Sequence, residues 1–219
     1  MPSFFITGTD TGVGKTYFTS WLVRAWRAQG RRAAGLKPVC SGDRADAEIL
    51  RAVSAGELSL DEINPHHFRT AAAPLVAAHE ENRAIDFKAE NRRIHELSGR
   101  FDCLAVEGVG GWRVPLAPGY EVRDWARDLG FPVVVVARGT LGTLNHTLLT
   151  VESIRAAGLT CAGVVVNAGL PDSAERSPDF ELVRRTNLDL LHDLLLLPVF
   201  EFDRGAEIAG EIPVWLGGK

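Results

Sequence analysis

Phe4-Phe5-Ile6-Thr7-Gly8-Thr9-Asp10-Thr11-Gly12-Val13-Gly14-Lys15-Thr16 decides the fold: an apolar, strand-length run gives way to a Gly-rich turn that ends in Gly-Lys-Thr as an amphipathic helix begins. Residues in that order make a phosphate-binding loop. Glycines let successive backbone N–H groups curl around phosphate oxygens, Lys15 adds a point charge, and Thr16 offers a hydroxyl to Mg2+ at the helix start. The strict pattern G-x-x-x-x-G-K-[ST] is missed by one position, because residue 9 is Thr and Gly8 stands one step early. A Gly-rich turn followed by a surface lysine is the alternative, and the flanking strand and helix weigh against it.

Downstream, Phe18, Trp21, Leu22, Ala25 and Trp26 recur at helical spacing, predicting a core-facing helix over 15–29 that Gly30 closes. A strand is expected over 32–38, and it leaves Lys37 at a strand's C-terminal end, the edge where open parallel sheets bind ligands. Residues 43–50 read as a short helix with Asp46 near its start, where a carboxylate also suits the helix dipole. The stretch 61–74 reads as turns, and its adjacent His66 and His67 lack a third ligand nearby, which favours loop surface over a metal site. A charged, exposed helix is expected over 87–97.

The next strand, 103–106, ends in Glu107-Gly108-Val109-Gly110-Gly111-Trp112. A carboxylate at the tip of an apolar strand, following a phosphate loop, suits Mg2+ held directly or through water. A helix over 122–129 leads to the apolar run 132–137, which reads as a central parallel strand, and 138–146 opens a helix running to about 157. In that opening, Asn145 and His146 read equally as caps or as first-turn surface. A strand over 161–167 ends on Asn167, whose amide can meet a base edge. A helix over 177–192, a strand over 194–197 before Pro198 and a loosely held Gly-rich tail over 205–219 complete the expectations. Alternation of strands and helices with short joins predicts an α/β architecture: a single P-loop domain over 1–219, with a mostly parallel, doubly wound sheet flanked by helices.

Composition is consistent with that. A chain of 219 residues, 46% hydrophobic, can bury one sizeable core, and a net charge of −4 without a basic stripe argues against a nucleic-acid partner. The longest apolar runs, 131–137 and 194–200, fall far short of the roughly 20 residues a membrane span needs. With no secretory signal visible, the cytoplasm is the expected location. Cys40, Cys103 and Cys161 form no C-x-x-C pair and read as reduced, buried thiols.

Taken together, residues 8–16, then Gly35-Leu36-Lys37-Pro38-Val39-Cys40-Ser41-Gly42, then residues 106–112, then Gly142-Thr143-Leu144-Asn145-His146, then Val166-Asn167 resemble the ordered motifs of the dethiobiotin synthetases. The displaced loop glycine is that family's own form of the motif. The resemblance implies a cyclo-ligase of biotin synthesis that uses CO2, ATP and Mg2+ to close a cyclic urea on 7,8-diaminopelargonic acid, through a carbamate and a carbamic-phosphoric anhydride. It implies that Lys15 holds phosphates while Lys37 stabilises the carbamate and the phosphoryl group, with Thr11 and Ser41 hydrogen-bonding the reacting groups. Thr16, Asp46 and Glu107 would ligate Mg2+. Asp10, Thr11, Gly12, Val13, Gly14, Lys15, Thr16 and Tyr17 would cradle the nucleotide, with Asn167, Pro198 and Val199 at its base. Gly110 and Gly111 would lie against the substrate amines, and Gly142, Thr143, Leu144 and Asn145 of a second subunit would hold the carboxylate tail, which implies a homodimer with sites at the interface.

Two positions depart from the family pattern: Gly12 stands where the best-known members carry Glu, and Phe180 stands where a Tyr hydroxyl helps bind the tail. Three rivals remain in view. A partitioning or switch ATPase would carry a second loop Lys where Asp10 stands, and a GTPase would carry Asn-Lys-x-Asp, which is missing; an amide-forming relative would need a glutaminase domain that this chain is too short to hold. A non-catalytic nucleotide-binding module is disfavoured by Lys15, Lys37, Asp46 and Glu107 occurring together.

Overall fold

The computed structural model describes residues 2–168, 180–202 and 212–217, apart from the side chains of residues 180, 181 and 184. In chain order the elements are β1 (Ser3–Gly8), α1 (Lys15–Ala28), β2 (Ala33–Leu36), β3 (Val39–Ser41), α2 (Ala45–Val53), α3 (Leu60–Ile63), β4 (His66–Phe68), α4 (Pro74–Glu80) and α5 (Phe87–Ser98). They continue as β5 (Cys103–Glu107), β6 (Pro115–Ala117), β7 (Tyr120–Glu121), α6 (Val122–Leu129), β8 (Val133–Arg138), α7 (Thr143–Ala156), β9 (Cys161–Asn167), α8 (Phe180–Leu195) and β10 (Val199–Phe202), with a 3-10 turn at Val214–Leu216.

Six strands form one parallel sheet in the order β10-β9-β8-β1-β5-β2. Successive residues of β1 point to opposite faces: Phe4 stacks on Trp26 of α1 with ring centroids 6.3 Å apart, while Phe5 meets Trp125 of α6 edge-on at 5.3 Å. Helices therefore cover both faces. That cover explains why β5 and Val133–Ala137 of β8 are continuous buried apolar runs rather than alternating ones. The connections that leave β1 and its neighbour β8 run to opposite sides of the sheet, so the loop after Gly8 opens into the crevice at the strands' C-terminal ends. Register then fixes the site, because Leu36 opposite Val106 sets Lys37 beside Glu107.

The expected parallel α/β sheet is present, and several local readings change. Strand β2 is only four residues long, because Lys37 N–H turns away from the sheet to donate to Ile63 O at 3.1 Å. The helix expected over 43–50 begins at Ala45, whose N–H the Asp43 carboxylate caps at 3.0 Å. Residues 61–74 are not only turns. Ser59 and Glu62 form a capping box that starts α3, and β4 pairs with β3 in a two-stranded sheet. Nor is α5 an exposed helix, for it buries Phe87, Glu90, Ile94 and Leu97. The strand assigned to 194–197 is helix through Leu195, and β10 follows Pro198 instead. A short apolar run does not separate helix from strand by periodicity; Leu favours the first, and Val and Phe the second.

The opening at 138–146 turns helical only at Thr143, with Gly142 as its cap at φ 91°. Of the tail, residues 212–217 are tied down. Trp26 Nε1 donates to Leu216 O at 2.9 Å, and Trp215 packs so close to Gly163 that a Cβ there would meet its ring at 2.7 Å. The remainder of the tail, the expected helix start at 177 and the reading at the Phe180 side chain lie outside the described residues. All three cysteines are buried and unbridged, and burial pushes their thiols up, that of Cys161 to about 11.

Candidate active site

The loop between β1 and α1 is wound by Gly12 and Gly14 at φ 74° and 95°, a left-handed conformation that L side chains seldom adopt. A Cβ on Gly14 would lie 2.0 Å from Asn167 Nδ2. That amide nitrogen donates to Val13 O at 2.9 Å, so Asn167 braces the loop from the end of β9. The first turn of α1 carries no acidic residue, which leaves its N–H groups and dipole open to an anion. Lys15 Nζ donates to Asp10 O at 3.2 Å. Burial, and then the Lys37 charge, push the Lys15 amine down to about 8 against the pull of Glu107, Asp46 and Asp10.

At the tip of β5, Glu107 gathers Lys37 from the end of β2 and Thr16 from α1, and Lys37 in turn holds Asp46 of α2. Lys37 Nζ lies 2.6 Å from Glu107 Oε1 and 3.0 Å from Asp46 Oδ2, and Thr16 Oγ1 donates to the same Glu107 oxygen at 2.8 Å. Burial alone would lower the Lys37 pKa, but the Glu107 and Asp46 charges and their hydrogen bonds outweigh it and raise it above the usual lysine value. Asp46 is held below the usual carboxylate range; burial opposes this, and Lys37, Thr16 and Lys15 drive it. Glu107 is fully buried, and its Oε2 has no hydrogen-bond partner among the described residues; neither has the buried Ser41 Oγ. Both oxygens sit beside one cavity, where they are acceptors that a bound ligand could use.

That cavity, about 440 Å3, is lined by Gly14, Lys15, Lys37, Ser41, Asp46 and Glu107, and Thr11, Gly12, Thr16, Tyr17 and Gly110 share its wall. Gly111 faces a neighbouring cleft of about 670 Å3 with Asp10, Trp112 and Leu149, so the 110–111 turn divides the two spaces. Val13 and Thr143 line a third hollow of about 220 Å3, which Asp10 also borders. Gly142, Leu144 and Asn145 border none of these three cavities. Asn167 lies beneath the loop, and Pro198 and Val199 sit at the far edge of the sheet, where Pro198 O accepts from Val164 N at 2.9 Å. Sequence reasoning missed Asn64, read there as a turn residue, although it touches the backbone of Lys37. No helix among the described residues is long and apolar enough to cross a membrane.

Residues 2–213 match a family model described as an AAA domain. Three bacterial proteins, each named ATP-dependent dethiobiotin synthetase BioD, are similar over most of their length. That of Akkermansia muciniphila is 47% identical, covering 76% of this chain and 78% of its own. That of Aromatoleum aromaticum is 41% identical, covering 84% and 85%, and that of Anaeromyxobacter dehalogenans is 43% identical, covering 90% of both. Among solved structures, the septum site-determining protein MinD of Pyrococcus horikoshii in complex with Mg-ADP superposes with a TM-score of 0.57 at 17% identity, over 93% of this chain and 81% of that one. The latter likeness extends to the fold alone.

Proposed function

The chain belongs to the dethiobiotin synthetase family, and from that premise we propose that it closes the ureido ring of dethiobiotin on 7,8-diaminopelargonic acid, with CO2 as the carbon source and ATP as co-substrate. The observation that carries the reading is the cluster in the mouth of the phosphate loop, where Lys37 bridges Glu107 and Asp46 and Thr16 donates to Glu107. We take residues 1–219 as one P-loop domain.

The residues present fit Mg2+. Thr16 Oγ1, Asp46 and Glu107 offer only oxygen, as a hard cation requires, and Glu107 Oε2 is a buried acceptor without a donor. When bound, the ion supplies charge neutralisation on the transferring phosphoryl group. The remaining work falls to positioned side chains. The loop N–H groups and Lys15 hold the phosphates. Lys37, charged throughout the neutral range, faces both a substrate carbamate and the γ-phosphoryl group that it accepts. The carbamate oxygen takes the phosphoryl group from ATP, releasing ADP. The second amine then attacks the carbamate carbon, and the C–O bond breaks so that phosphate departs with that oxygen. No protein nucleophile is needed, because neutralisation and positioning dominate such a transfer.

The amine end of the diamine would lie at the 110–111 turn, where the two larger cavities meet, and its chain would extend into the more apolar neighbouring cleft. A second copy would contribute Gly142–Asn145 to hold the carboxylate. Leu141, 88% exposed, and Leu149, 57% exposed, lie at and along α7 and would be covered in that homodimer. Oxygen transfer tests the chemistry: with freshly dissolved 18O-labelled CO2, one labelled oxygen should appear in the released phosphate. Unlabelled phosphate formed together with dethiobiotin would reject the carbamate route.

A further inference from the structure

We propose that Asn64 is a positioning residue that sets Lys37 and the helix bearing Asp46 against Glu107, so that one buried amide holds both arms of the catalytic cluster in register; the inference rests on the function proposed above. Asn64 is 1% exposed and belongs to neither nucleotide loop nor cavity wall. At Pro38 the chain leaves the large sheet, because β2 ends at Leu36 and β3, at Val39, pairs with β4 instead. Lys37 therefore stands at a break in the ladder, where strand pairing alone does not fix it. The segment from Ile63 to His66 spans the break: Lys37 N donates to Ile63 O at 3.1 Å, and His66 N donates to Pro38 O at 3.0 Å.

Within this seam the Asn64 side chain reaches two ways. Nδ2 donates to Lys37 O at 2.7 Å. Oδ1 accepts from Arg44 Nε at 3.0 Å and from the Cys40 thiol at 3.1 Å. The reverse amide orientation would set oxygen against the Lys37 carbonyl and nitrogen against a guanidinium, so the neighbours fix the assignment. Arg44 is the residue before α2, and its guanidinium also donates to Asn64 O at 2.9 Å, which pins the helix whose first turn carries Asp46. Thus Asn64 links the backbone of Lys37 to the start of the Asp46 helix, while the Lys37 ammonium itself meets Asp46 and Glu107. The amide itself is anchored by α3, whose capping box at Ser59 and Glu62 precedes it and whose last bond is Asn64 N to Leu60 O at 2.8 Å. Small displacements at a reacting centre cost large factors in rate, which makes such a support consequential.

The test compares wild type, Asn64→Ala and Arg44→Gln in three readouts: metal-free ADP affinity by calorimetry, the Mg2+ concentration for half-maximal tightening of ADP binding, and kcat for dethiobiotin formation. Asn64→Ala should leave the metal-free ADP Kd within about twofold, because the phosphate loop does not touch Asn64, while raising the Mg2+ requirement severalfold and lowering kcat at least tenfold. Arg44→Gln, altered at a partly exposed side chain, loosens only the Asp46 arm. It should shift the Mg2+ requirement with a smaller loss of kcat, and it carries the test if Asn64→Ala does not fold. Unchanged Mg2+ requirement in a folded variant overturns the proposal. So does a loss of metal-free ADP affinity in step with kcat, which marks general loosening. If wild type itself forms no dethiobiotin, the proposed function fails, and the two binding readouts still decide the role of Asn64.

Discussion

Lys37, one residue past the end of β2, meets Glu107 at the tip of the neighbouring β5 at 2.6 Å, the lysine 5% and the carboxylate 0% exposed at their side chains. A buried pair of this kind is costly to break, because either partner alone is left as an uncompensated charge. Its position at the mouth of a phosphate loop, with Glu107 Oε2 still unpaired among the described residues, is what the proposed function puts to chemical use. When an anion or a divalent ion enters, both groups can exchange their mutual contact for the ligand.

Replacing Lys37 by Ala should lower kcat by about 10²–10³, the usual loss when one preorganised transition-state donor is removed. ADP affinity, carried by the loop and Lys15, should stay within a few-fold by calorimetry. A collapse of ADP binding in a folded variant would contradict the role assigned to Lys37.

In Glu107→Gln the amide keeps an acceptor for Thr16 but loses the buried charge. ADP binding to this variant should become nearly insensitive to Mg2+, whereas metal-free binding persists. Titrating Mg2+ against ADP affinity checks this, and a wild-type Mg2+ response would remove Glu107 from the ligand set.

The Gly14→Ala exchange places a methyl group 2.0 Å from Asn167 Nδ2 at a φ of 95°. Nucleotide affinity should fall by at least tenfold. Truncating Asn167 to Ala in the same chain relieves the clash but should not restore wild-type affinity, because the backbone strain remains and the brace on Val13 O is lost. Equal affinity in the single variant and wild type, by calorimetry, would show that the loop tolerates another path.

The pH prediction concerns Glu90, far from the nucleotide loop in sequence and 3% exposed. Burial acts to raise its pKa, but hydrogen bonds from His66 and Arg93 and the Arg93 charge prevail and hold it below the ordinary value of 4.5. A carboxyl whose folded pKa is depressed contributes stability that is full above its unfolded pKa and is lost as pH falls through the folded one. Glu90→Gln should therefore cost about 1–3 kcal/mol at pH 7 in urea unfolding, and the cost should shrink below pH 4.5. A cost independent of pH would show that shape, not charge, is what Glu90 supplies.

Much of this was legible in the chain because the informative residues are local. The loop from Gly8 to Thr16 and the strand-to-Glu107 junction each sit within one contiguous stretch, where spacing and residue type carry the physics. Val133–Ala137 announced a strand buried on both faces. What stayed hidden depends on contacts between distant segments. Asn64 gains its meaning only when β3 and β4 pair and bring it beside Lys37, and Asn-Pro in a sequence looks the same whether it turns a loop or braces a site. The Ser59-x-x-Glu62 spacing, by contrast, is a helix start that local sequence does carry. Leu194 and Leu195 misled because an apolar run of that length fits the end of a helix as well as a strand.

The most direct measurement mixes the protein with Mg-ATP and bicarbonate, with and without 7,8-diaminopelargonic acid, and follows phosphate release together with dethiobiotin by mass spectrometry. One phosphate per dethiobiotin, and neither without the diamine, is the predicted result. Phosphate released at the same rate in the absence of the diamine, with no dethiobiotin formed in its presence, would contradict the account.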